Sequence, residues 1–144
     1  MGDQILLPHP EYFTVTGADG TLWRGGDQDW FPTSWQRRAG CGPTAAAVMT
    51  AYLAQADPDM APLFPRCEMD QTGFTAHMCR VWNYVTPGPH GLNRPALFAQ
   101  GLEDYGGACG VPLRIRLLEL PARRALRPDW AAWSGFVRAA LERG

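Results

Sequence analysis

A chain of 144 residues, 46% hydrophobic and 19% charged, is long enough to bury a core as one domain, and its composition argues against extended disorder. A net charge of −1 leaves no electrostatic case for nucleic acid or an anionic membrane surface. No run approaches the ~18 consecutive apolar residues of a membrane span.

The opening stretch, MGDQILLPHPEY, carries an acid near its start and no long apolar core, which argues against a signal peptide. Leu6 stands where a myristoylation signal wants Ser or Thr. The expected compartment is therefore the cytoplasm, and the expected state of Cys41, Cys67, Cys79 and Cys109 is four free thiols rather than a disulfide framework. Sixteen glycines and 13 prolines predict many turns and short elements.

The first element predicted is a β-hairpin, with Tyr12–Thr16 and Thr21–Arg24 as strands and Gly17-Ala18-Asp19-Gly20 as its turn. The stretch GGDQDWFPTSWQRRAG then reads as a loop. A helix is expected from about Pro43 to Ala56, with Ala45, Val48, Met49, Tyr52, Leu53 and Ala56 on its apolar face. A second helix starts near Thr72, buries Phe74, Met78, Val81, Trp82 and Val85, and stops before Pro87. Asn93 is the expected cap of a third, which faces inward through Leu97, Phe98, Leu102 and Tyr105 and ends at Gly106-Gly107.

VPLRIRLLEL predicts a strand, because Leu113, Ile115 and Leu117 alternate with Arg114 and Arg116. A last helix is expected from about Pro128 to Arg143, with Trp130, Trp133, Val137, Ala140 and Leu141 on one face and Gly144 at its end. Four helices, a hairpin and one strand make an α+β chain in which that strand lacks neighbours. It would find them in a second copy of the chain or in a partner.

The stretch RAGCGPTAAAVMTAYL carries the chemistry. The nucleophilic form of a cysteine is the thiolate, and the free N–H groups and dipole at a helix start favour the anion. Gly40 and Gly42 leave room for a close approach to Cys41, and the Cys41 N–H is a candidate oxyanion donor. Gln36, five residues earlier, offers a side-chain amide. The competing reading makes Cys41 a small hydrophobe at a tight turn.

GCGPTAAAVMTAYL, preceded by WFPTSWQRRA, resembles the active-site helix of papain-like cysteine peptidases, specifically the bacterial branch related to peptidases that process double-glycine bacteriocin leaders. The resemblance implies a peptidase-type thiol hydrolase acting on a peptide or amide substrate, with Cys41 as nucleophile and Gln36 as oxyanion-hole glutamine. Many members place one more residue between glutamine and cysteine, and the resemblance covers only about twenty residues. It implies no cofactor and no metal. It also implies a β-lobe whose catalytic histidine opens a strand.

That histidine is missing from the pattern. His77 lies within a predicted helix, where it reads as a surface or packing residue, and His90 lies in a loop with no strand behind it. His9 sits between two prolines near the N-terminus. The expectation is one domain over 1–144, with hairpin and loop at 1–40 and a helical lobe with one strand at 41–144, corresponding to the cysteine-bearing part of a longer papain-like domain. Without its imidazole such a site lacks the general acid for the leaving group. The alternative is a non-catalytic interaction protein that binds a peptide or partner chain along its exposed strand.

Other constellations are weaker. Cys67, His77, Cys79 and His90 have poor zinc spacing, since His77 and Cys79 point apart on a helix. Asp27 and Asp29 fit an Asx turn better than a carboxylate pair, although either would suit the wall of a cleft. Arg37 and Arg38 either raise the local potential or are simply solvated. Trp23, Trp30 and Trp35 are expected to pack over the cysteine helix.

Overall fold

In a computed structural model the protein is described over residues 6–142. The first five residues and Arg143–Gly144, where the last helix was expected to end, lie outside the described residues. The architecture is α+β, with one small antiparallel hairpin and several helices.

The hairpin pairs β1 (Thr14–Thr16) with β2 (Leu22–Arg24) in the register Thr14–Arg24, Val15–Trp23, Thr16–Leu22. Its turn closes through Gly17 N–H to Thr21 O at 2.7 Å, and Gly20 takes a left-handed φ of 82° that favours glycine. Strand β1 is shorter than expected. Pro10–Phe13 winds into a 3-10 turn instead, with Pro10 supplying the fixed φ of a first position. On its other side β1 reaches Asp70 through Thr16 N–H to Met69 O at 2.9 Å.

An unexpected short helix, α1 (Ser34–Ala39), replaces the loop before the cysteine. Its cause is a capping box. Thr33 Oγ1 accepts from Gln36 N–H at 3.2 Å, and Gln36 Oε1 accepts from Thr33 N–H at 3.3 Å. Gly40 joins α1 to α2 (Cys41–Ala56). Helix α3 (Gln71–Trp82) starts on Asp70, whose Oδ1 accepts from Gly73 N–H at 2.8 Å. Helix α4 spans Pro95–Ala108, and α5 spans Trp130–Glu142.

The core gathers Val15, Phe31, Leu63, Phe74, Met78 and Leu102, among others, around α2 and α3. The second-helix stripe is as expected: Phe74, Met78, Val81 and Val85 are buried and Trp82 is half-buried. The face that α2 buries is not the expected one. Ala46, Ala47, Thr50 and Ala51 point into the core, while Met49 is 45% exposed and Ala45 is exposed. Small side chains let the His77 ring of α3 reach the α2 backbone, 3.2 Å from Ala47 O. The larger Met49 and Leu53 then face α5 and the N-terminal segment.

Three more expectations need correction. Asn93 does not cap α4; Arg94 holds that position without a side-chain bond, and Pro95 begins the helix. Gly106-Gly107 does not end it. The stop is a Schellman motif, with Gly110 at φ 76°, Val111 N–H to Gly106 O at 2.8 Å and Gly110 N–H to Gly107 O at 3.1 Å. Gly106 has no Cβ because the returning chain, Val111 O and Leu113, occupies that space.

Finally, 111–120 is extended but forms no strand, since no strand among the described residues offers it a ladder. The alternation survives in its first half: Val111 is buried, Leu113 and Ile115 are half-buried, and Arg114 and Arg116 are exposed. The Ile115 N–H bonds a carboxylate instead, Glu103 Oε1, at 2.9 Å. No helix among the described residues is long and apolar enough to cross a membrane.

Candidate functional site

Cys41 is the first residue of α2, and its side chain is exposed. It opens onto a cleft of about 480 Å³ between the start of α2 and the chain leaving β2, lined by Trp23, Gly25, Asp27, Gln28, Cys41 and Thr44 among others. Two glycines shape the far wall. Gly25 has φ 84° and lies against Val48, and a Cβ on Gly26 would meet Phe74 Cε1 at 2.6 Å. Only glycine lets this segment lie so flat on α2 and α3.

The preceding loop is held in place by its own side chains. Asp27 Oδ1 accepts from Asp29 N–H at 2.9 Å, which is the Asx turn. Arg37 Nη1 donates to Phe31 O at 2.7 Å and Pro32 O at 3.0 Å, so Arg37 clamps the loop. Trp23 and Trp30 meet edge to face at 5.5 Å, with Trp23 on the cleft, while Trp35 stays 42% exposed.

Gln36 is not among the residues lining the cleft; its side chain is bonded to Thr33 at the opposite end of α1. Gln28 lines it instead. Its Nε2 donates to Arg37 O at 2.8 Å, and this leaves a second N–H free of that bond. Sequence reasoning missed Gln28. The signal was a glutamine in a loop rich in glycine and aspartate directly ahead of the cysteine helix. Thr44 was missed as well. It is 8% exposed, lines the cleft, and its buried Oγ1 has no hydrogen-bond partner.

The three histidines are spread along α2. His9 bonds Glu11 Oε1 at 3.0 Å and stacks on Tyr12, which in turn meets Tyr52 at 6.0 Å. Tyr52 is about 16 Å along the helix from Cys41. His77 faces mid-helix: its Nε2 lies 2.9 Å from Thr50 Oγ1 and 3.2 Å from Ala47 O. Those groups are about 9 to 13 Å along the axis from Cys41. His77 is 1% exposed, and burial first, then the Arg80 charge, pull its pKa from 6.5 down to about 4.

His90 is exposed, in a loop pinched by two Gly88–Gly91 backbone bonds of 3.2 and 2.9 Å. That loop meets the start of α2 through Leu92, whose side chain fills the space a Cβ on Gly42 would take. No histidine is among the residues lining the cleft.

The four cysteines are free; Cys41 and Cys67 are exposed, and Cys79 and Cys109 are half-buried. Burial raises the Cys79 pKa. Among the described residues no three or more His, Cys, Asp or Glu side chains gather as a metal site. No protein-family model, no curated protein and no solved structure matches this chain.

Proposed function

We propose that this chain carries the nucleophile of a papain-like, peptidase-type thiol hydrolase, with Cys41 attacking a peptide or amide carbonyl, and that it lacks the paired imidazole. The observation that carries this reading is the placement of Cys41: the first residue of α2, exposed, and open to a cleft. The attacking sulfur would form a tetrahedral intermediate, with the Cys41 N–H and the free N–H of Gln28 as candidate donors to its oxyanion. Departure of the amine needs a proton that no residue lining the cleft is built to deliver. A partner chain bearing a β-lobe would supply the base, and the cytoplasm suits a free thiolate.

Alkylation with iodoacetamide across pH, with the label located by mass, tests this. Cys41 and Cys67 are both exposed, so exposure alone would label them alike. The expected result is that Cys41 reacts faster near neutral pH; equal rates would remove the nucleophile reading. The missing base is tested separately. The Cys41 rate should be unchanged in His90→Ala, whereas a loss of rate in that variant would make His90 the base.

A second reading is a non-catalytic interaction protein. It is favoured by the extended segment 111–120, in which Leu117, Leu118 and Leu120 are 43%, 36% and 49% exposed. A peptide or partner strand would pair with that backbone by sheet addition.

A further inference from the structure

A second cavity lies on the other side of α2, away from the cysteine. Its volume is about 560 Å³, within the range of small-molecule sites. Met49 of α2, Ile115 of the extended segment and Phe136, Ala139 and Ala140 of α5 line it with hydrocarbon. Gly135 also lines it, and a Cβ built there would meet nothing within 4 Å. The α5 backbone is thus bare towards open space.

Two arginines, Arg114 and Arg116, are among the residues that line this apolar hollow. Both residues are exposed, and neither has an ion-pair partner among the described residues. The nearby Glu103 carboxylate is bonded to the Ile115 N–H. The extended backbone carries both arginines on one side of the chain, and the half-buried Ile115 between them also borders the hollow. An apolar hollow bordered by two arginines without ion-pair partners matches a hydrocarbon chain ending in a carboxylate, which arginine binds through paired N–H donors.

We propose that this cavity binds a free fatty acid, with its alkyl chain along Met49, Phe136 and the bare Gly135 backbone and its carboxylate on Arg114 and Arg116. Calorimetric titration of the full chain with dodecanoate, below its micelle concentration, tests it. One molecule should bind per chain. Arg114→Gln/Arg116→Gln should weaken binding at least about tenfold, as loss of charge-assisted bonds implies. Gly135→Leu should abolish binding while keeping the fold, since it fills open space and improves the helix.

Dodecan-1-ol, with the same chain and no charge, should bind at least about tenfold more weakly than dodecanoate. Circular dichroism checks each variant, and single Arg114→Gln and Arg116→Gln variants replace the double one should it fail to fold. Absence of dodecanoate binding, more than one molecule per chain, equal binding of the alcohol, or unchanged binding in the arginine variants would each overturn the proposal. So would arginine-dependent flotation with phosphatidylglycerol vesicles in the absence of dodecanoate binding, since the site would then read a lipid surface.

Discussion

The His77 imidazole joins α3 to α2 through Thr50, with Nε2 and Oγ1 2.9 Å apart in the core. Thr50 Oγ1 has its own acceptors, Ala46 O at 2.9 Å and Ala47 O at 3.1 Å. The proton is therefore assigned to His77 Nε2, which faces Thr50 Oγ1 and Ala47 O. Nδ1 is left buried without a partner, among Phe64, Phe74 and Tyr105. No carboxylate takes part in this contact, and the neighbouring charge, Arg80, opposes protonation.

A pH dependence of stability follows. Burial and Arg80 lower the folded pKa of His77 from 6.5 to about 4. Between those values the unfolded chain takes up a proton that the folded chain refuses, so the His77 contribution to stability falls as pH drops through that window and is constant below it. The loss is about 3 kcal/mol, at ~1.4 kcal/mol per unit. Urea titrations at pH 7 and pH 4.5 should show most of it, and His77→Leu should flatten it, since Thr50 keeps its carbonyl acceptors.

Gly40 and Gly107 should respond to alanine with opposite signs. A Cβ on Gly40 would run into Gln36 O and lie 2.7 Å from Cε2 of the buried Phe31, beside the cysteine. Gly40→Ala should cost about 2 kcal/mol, the scale of overpacking a core. A Cβ on Gly107 meets nothing within 4 Å inside α4, so Gly107→Ala should gain up to about 1 kcal/mol. The shift in urea midpoint reads both.

Tyr105 Oη donates to Leu63 O at 2.6 Å in the core, tying α4 to the 3-10 turn after α2. Burial raises the Tyr105 pKa, so the phenol stays protonated and a donor. Tyr105→Phe keeps the ring and removes the donor. It should cost about 1 to 2 kcal/mol, because Leu63 O loses its bond. Equilibrium unfolding measures that loss.

What the sequence allowed to be read depended on whether the signal was local. The cysteine at a helix start, the hairpin and the buried stripe of α3 follow from neighbouring residues. The face of α2 does not. By side-chain size Met49 and Leu53 look like core, yet the alanines are buried because α3 packs close, and that is a tertiary fact. The strand at 111–120 failed for the same reason: alternation says which side faces inward, not whether a partner backbone exists. Two misses were local. Thr33-Ser34-Trp35-Gln36 is a capping-box sequence, and Gly110 is a better helix stop than Gly106.

The two glutamines near Cys41 should separate by function. Gln36 spends its side-chain oxygen on the α1 cap, so Gln36→Ala should lower stability by up to about 1 kcal/mol and leave the alkylation rate of Cys41 unchanged. Gln28 lines the cleft with Cys41 and anchors its amide on Arg37 O. Gln28→Ala removes that anchor and with it a wall of the cleft beside the thiol. It should change the Cys41 rate several-fold while the rate of Cys67, exposed elsewhere, stays constant as an internal reference. If Gln36→Ala slows Cys41 and Gln28→Ala does not, the glutamine that shapes the surroundings of the thiol is that of α1, and the cleft wall formed by the loop is only packing.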